Sequence, residues 1–123
     1  MRIWSLGLAF NFLFVIGDVP GMAADIEAGK TAFKKCALCH TTDAGKNKIG
    51  PSLFGIVGRK SATVENFNYS EGMKKFDHTW DEETLDEYLA DPRGVVPGTK
   101  MIFPGIKEKT ERDDVIAYLE TLK

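Results

Sequence analysis

Two thiols and an imidazole stand within five residues in the run Cys36, Ala37, Leu38, Cys39, His40. Cys36 and Cys39 are the only cysteines of the 123-residue chain, and His78 is its only other histidine. Residues three apart on a helical turn face the same side, so both sulfurs can address one edge of a single partner while His40 reaches in from the adjacent face. Three chemistries use such a pair. A redox dithiol wants a strand–helix–strand setting, which the flanking pattern lacks. Structural zinc wants four ligands, and only Cys36, Cys39, His40 and the distant His78 are on offer. The third is covalent haem, whose attachment signature is C-x-x-C-H itself: the thiols add to the two vinyl groups of one porphyrin edge, and the histidine takes an axial position on the iron. That reading consumes both cysteines and leaves none for a disulfide.

Candidates for the opposite axial position are Met73, Met101, His78, a lysine, or nothing. Met101 stands in "VVPGTKMIFPGIK", a loop bounded by proline and glycine where no helical packing demands a methionine. His/Met ligation is a haem pattern that raises the reduction potential. His78 reads more simply as a solvated loop histidine.

The elements that must position these groups are helices separated by long loops, with no sustained strand alternation. Asp25 is the expected N-cap of a helix leading into Cys36, with Ile26, Phe33 and Ala37 at helical spacing. Residues 41–68 are rich in Gly, Pro, Asn and Ser and read as loop, with a short helical turn near Leu53–Val57. Ser70 is expected to cap a short helix to about Phe76. Thr79 or Asp81 starts another, with Leu85, Tyr88 and Leu89 on one face and Pro92 as its stop. Residues 92–109 read as loop. Thr110 is the expected cap of the last helix, whose apolar stripe is Val115, Ile116, Leu119 and Leu122. Loops this long in so small a domain need something to fill the space between them, and a haem supplies that missing apolar core.

Composition is that of one globular domain, 43% hydrophobic and 28% charged, and the net charge of −2 offers nothing to nucleic acid. Ile3 to Ile16 is an apolar run behind Arg2, followed by "GMAAD"; it is too short to span a bilayer comfortably and is expected to be a cleavable export signal over residues 1–23, cut after Ala23 or Ala24. The mature domain is then 24–123, and its location the periplasm.

From Asp25 to Lys123 the motifs "CALCH", "KIGPSLFGIVGR", "YS" followed by "TW", "EETLDEYLADP", "VPGTKMIFPGIK" and "TERDDVIAYL" occur in the order of class I cytochrome c, and the chain resembles that family of soluble bacterial and mitochondrial electron carriers. The resemblance implies an all-α fold, first and last helices crossing at Gly29 and Tyr118, with loops wrapped around one covalent haem. It implies thioether bonds at Cys36 and Cys39 and axial ligands His40 and Met101. Pro51 matches the proline whose carbonyl accepts the ligand histidine's proton, and Tyr88 the tyrosine that bonds the methionine sulfur. Arg59, Tyr69, Trp80 and Thr99 match positions around the haem propionates, and Phe103 the aromatic beside the exposed haem edge. Met73 departs from the family, where many members carry a polar residue that supports a buried water.

By the same resemblance the chain is an electron carrier and not an enzyme, a monomer that shuttles between a cytochrome bc complex upstream and an oxidase or photosynthetic reaction centre downstream. Lys34, Lys35, Lys46, Lys48, Arg93, Lys100, Lys107 and Lys109 would form a basic docking front, while Asp77 to Asp91 carries seven acidic residues and no lysine or arginine. The competing reading is a haem peroxidase or gas-binding sensor, which requires Met101 to leave the iron.

Overall fold

The computed structural model describes residues 23–123, and the expected export segment lies outside the described residues except for its last position. Helix α1 (Ile26–Ala32) starts where Asp25 accepts the Ala28 N–H at 3.1 Å, with Glu27 in its first turn and Lys30 in its last, as the helix dipole favours. A 3₁₀ turn, Phe33–Lys35, carries the chain on into Cys36. The last helix, α5 (Lys109–Glu120), buries Val115, Ile116 and Leu119 and crosses α1. Gly29 is what permits the crossing: a Cβ there would collide with the Asp114 carbonyl and come within 3.0 Å of Tyr118 Cβ. Asp114 also accepts the Asp25 N–H at 2.8 Å, and the Phe33 and Tyr118 rings meet at 5.1 Å, so the two chain ends are fastened together.

Between these helices, α2 (Glu71–Phe76) is capped by Ser70, whose hydroxyl accepts the Met73 N–H at 3.0 Å; it stops at Asp77, which takes φ +40°. Helix α3 (Glu82–Ala90) is capped by Asp81, and turns Leu85, Tyr88 and Leu89 inward. The loop expected from residue 92 begins later. Pro92 is the first residue of a short helix α4 (Pro92–Val95), with Asp91 accepting the Gly94 N–H at 3.1 Å. Proline lacks only a donor that the first helical position does not use, so it ends α3 and opens α4 at once. Thr110 does not cap α5 either. The helix begins at Lys109, with Glu108 at the cap position and no side-chain cap bond, and Thr110 sits in its first turn.

Among the described residues the only strand-like pairing is one bridge, Lys60 with Thr79, flanked by Gly58 N–H to Trp80 carbonyl and Ser61 N–H to His78 carbonyl, both 2.8 Å. The expected turn near Leu53–Val57 is not helical. The fold is all-α, as expected. Its core gathers Phe33, Ile56, Met73, Trp80, Leu85, Tyr88, Leu89, Val96, Ile106 and the inner face of α5. No described helix is long and apolar enough to cross a membrane.

Candidate functional site

The Cys36–His40 segment continues the helical winding of the turn before it. The N–H groups of Cys36 and Ala37 donate to the Phe33 carbonyl at 2.8 and 3.0 Å, and those of Cys39 and His40 to the Cys36 carbonyl at 3.1 and 2.9 Å. Both cysteines are half-buried free thiols. Burial pushes the Cys36 thiol up, with nearby Lys35 opposing. A thiol-exchange cysteine needs the reverse, an easily formed thiolate.

His40 is held in one tautomer. Its Nδ1 lies 2.7 Å from the Pro51 carbonyl oxygen, and a carbonyl can only accept, so Nδ1 carries the proton and Nε2 keeps its lone pair. Burial holds the imidazole below its ordinary pKa; the Pro51 bond opposes this and the Arg59 charge adds to it. At neutral pH the ring is therefore an uncharged donor of one nitrogen lone pair. Gly50 clears its space: a Cβ there would stand 2.7 Å from Nδ1 and 2.9 Å from Nε2.

Pro51 is placed by a loop knitted from side chains to backbone. Asn47 accepts the Ser52 N–H at 2.9 Å and donates to the Glu65 carbonyl at 3.0 Å. Gly50 donates to the Cys39 carbonyl at 2.7 Å, and Lys48 reaches the Ala37 carbonyl at 3.0 Å, which ties this loop directly to the cysteine segment. Arg59 closes the loop from beneath, donating twice to the Ser52 carbonyl (3.0 and 3.1 Å) and once to that of Phe54 (3.2 Å). The Trp80 ring is buried against Tyr88 at 5.1 Å, and the Trp80 backbone N–H donates to the Arg59 carbonyl at 2.8 Å. The Tyr69 hydroxyl accepts the Val64 N–H at 3.0 Å. Arg59 is thus tied to Trp80 through the backbone, and its charge bears on the Tyr69 phenol.

Met101 is half-buried on a second loop, residues 96–108, and its N–H donates to Thr99 Oγ1 at 3.3 Å. Where the family resemblance puts a bond from Tyr88 to the methionine sulfur, the Tyr88 hydroxyl lies 2.9 Å from that same Thr99 oxygen. Burial pushes the phenol's pKa up, so it stays a neutral hydroxyl. Met73 is buried in α2 as part of the core, and Phe103 is half-buried beside Ile102, which is 92% exposed.

Two free thiols on one helical turn, a histidine with an open Nε2, and a half-buried thioether on a separate loop make a donor set that fits a c-type haem. The eight basic residues expected to form the docking front are all exposed but not equivalent. Lys35 is paired with Glu111 at 2.7 Å, and Lys109 lies among the carboxylates of Asp86 and Asp113. Arg93 borders a cavity of about 320 Å³ with Asp91, Ile102, Phe103 and Pro104. Leu38 and Ile49 are also exposed, and the Lys48–Ala37 and Gly50–Cys39 bonds on either side of them draw the two segments together. Sequence reasoning missed Gly50, Asn47 and Ser52; a glycine directly before Pro51 was the one local signal for them.

Comparison with known proteins gives concordant matches. The family model described as Cytochrome c matches residues 26–123. The chain is 52% identical over 96 residues to cytochrome c2 of Rhodoplanes tepidamans, covering 77% of this chain and 90% of the relative. It is 44% identical over 121 residues to cytochrome c2 of Blastochloris viridis, covering 98% and 93% respectively. Among solved structures, cytochrome cH from Methylobacterium extorquens is similar with a TM-score of 0.75 and 45% identity, over 80% of this chain and 99% of that one.

Proposed function

This chain belongs to the cytochrome c family, and from that premise we propose that it is an exported one-electron carrier holding one covalent haem c between His40 and Met101. The observation that carries the reading is the bond from His40 Nδ1 to the Pro51 carbonyl, which fixes the ring and its tautomer and leaves the Nε2 lone pair available to a metal. When bound, the haem supplies an iron centre that cycles between the ferrous and ferric states.

The residues account for the rest. Cys36 and Cys39 would hold the porphyrin through two thioethers. His40 Nε2 and Met101 Sδ would be the two side-chain ligands of its iron, and with both engaged oxygen and peroxide would find no open site. A thioether ligand favours the ferrous state, and an apolar surround disfavours the extra charge of the ferric one, so both raise the potential. Tyr88, Thr99 and the loop backbone hold Met101 in place across the redox change. Arg59, Tyr69, Trp80 and Thr99 are the proposed propionate neighbours, and Phe103 the neighbour of the exposed edge.

Residues 1–23 act as the signal that sends the domain to the periplasm. There the donor is a membrane cytochrome bc complex and the acceptor an oxidase or photosynthetic reaction centre. Docking runs through the exposed cations Lys34, Lys46, Lys48, Arg93, Lys100 and Lys107, with Lys35 and Lys109 contributing less because each is held by a carboxylate at 2.7–2.8 Å, whereas Lys46 faces Asp43 only at 3.9 Å. Steering by a basic front makes the encounter fast, weak and salt-sensitive. The test is the rate of electron transfer from the reduced protein to such an acceptor as salt is raised. A falling rate supports the reading, and a rate indifferent to salt contradicts the docking model.

A further inference from the structure

The loop that carries Met101 is fastened at both ends and bare in the middle. At its entry, α2 packs so closely that a Cβ on Gly72 would strike the Pro97 carbonyl, and Lys100 reaches the Asn68 carbonyl at 3.0 Å. At its exit, Ile106 donates to the Leu89 carbonyl at 2.8 Å. Between them Ile102 and Pro104 are exposed.

One side chain joins the exit to two helices. Arg112, on α5, donates through Nη1 to the carbonyls of Ile106 and Lys107, both at 2.9 Å, and through Nε to Asp86 Oδ1 on α3 at 2.7 Å. The Arg112 side chain is only 12% exposed and that of Asp86 27%, so this pair is shielded where the other ion pairs among the described residues are more exposed. A guanidinium has the forked donors that three acceptors in different directions require, and a lysine does not. The groove around Asp86 also carries Lys109, Asp113, Glu82, Glu83 and Glu120. Lys109 is the second cation near Asp86, at 3.7 Å, and it is spent mainly on Asp113 at 2.8 Å.

We propose that Arg112, oriented by Asp86, is a positioning residue for Met101: it locks the exit of the ligand loop and sets how readily the methionine leaves the iron. The proposal rests on the reading of Met101 as axial ligand. Removing the Asp86 charge frees the guanidinium to swing, and the two loop carbonyls lose a fixed donor. Losing one partner of a shielded pair is worth well over a factor of ten in stability when it is fully buried, and less at this exposure.

The test is alkaline titration of the ferric haem protein, followed by the weak far-red absorption band of methionine ligation, in the parent, Asp86→Asn, Asp86→Glu and Glu83→Gln. The midpoint for loss of the band is expected to fall by about one pH unit in Asp86→Asn, a tenfold rise in the displaced population. Asp86→Glu should restore most of it. Glu83→Gln removes the same charge from the same helix without touching Arg112 and should leave the midpoint in place. Equal midpoints in Asp86→Asn and the parent overturn the proposal, as does an equal fall in Glu83→Gln. A parent protein with no far-red band at all contradicts the Met101 reading instead, so the two failures are distinguishable.

Discussion

Replacing Gly50 with alanine puts one methyl group against the ring of His40, and the sign of the result tests the site's geometry. Gly50 does not take a positive φ, so its backbone accepts alanine without strain. With open space beside it, the substitution would stabilise by about 0.4–1 kcal/mol, because alanine leaves the unfolded chain less freedom to lose. The space is not open. The new Cβ would stand 2.7 Å from Nδ1 and 2.9 Å from Nε2, where ordinary contact begins at 3.4 Å. The ring must retreat by about 0.7 Å at Nδ1, against a dispersion well that steepens within tenths of an ångström. That retreat strains the 2.7 Å bond to Pro51 and moves Nε2 from its aim. Overpacking costs about 1–3 kcal/mol and a compromised hydrogen bond about 1, so after the alanine gain the net loss is about 2 kcal/mol. With a slope of about 1–3 kcal/mol per molar urea, the unfolding midpoint of the haem protein should drop by roughly 1 M. Tryptophan fluorescence and haem absorption should report the same transition. A variant as stable as the parent, or more stable, would refute the claim that Gly50 is kept free for His40.

Gly29→Ala should also destabilise, by about 2 kcal/mol or more, because its methyl group meets the Asp114 carbonyl and both partners at the crossing are backbone; a gain in urea midpoint from the better helix former would contradict this. Tyr88→Phe leaves the Thr99 hydroxyl without its 2.9 Å partner, so the cost in urea should be about 1 kcal/mol, and the ferrous protein should bind carbon monoxide faster as Met101 loosens; unchanged carbon monoxide kinetics would separate Tyr88 from the ligand loop. Ser70→Ala removes the cap of α2 and should cost about 1 kcal/mol, with the haem spectrum intact; loss of the spectrum would mean that α2 bears on the ligands directly.

What could be read in the sequence was local. The C-x-x-C-H run carries its own geometry within five residues, and the caps at Asp25, Ser70 and Asp81 each bond a backbone N–H three positions on. Errors arose where one local signal serves two outcomes. Pro92 stops one helix and starts the next, and Thr110 has the chemistry of a cap but sits one residue inside a helix that begins at Lys109. The long loop before α2 was recognised as loop but not as structure, because its order comes from Asn47, Ser52 and Arg59 bonding to backbone groups as far apart as Asn47 and Glu65. Distant pairings of this kind leave no periodic trace. Arg112 looks like any charge on an amphipathic helix, and only the fold reveals it as nearly buried between Asp86 and the Met101 loop. Lys109 fits a basic front by sequence alone, yet it lies among carboxylates of α3 and α5.

The central claim is that one haem is held between His40 and Met101 with no coordination position left open. The most direct measurement is the absorption spectrum of the purified ferric haem protein, compared with that of Met101→Ala. A low-spin spectrum with the weak far-red band of methionine ligation, lost in Met101→Ala, is the expected result. A high-spin ferric spectrum without that band in the parent would contradict it, and would mean that the sixth position stands open to exogenous ligands.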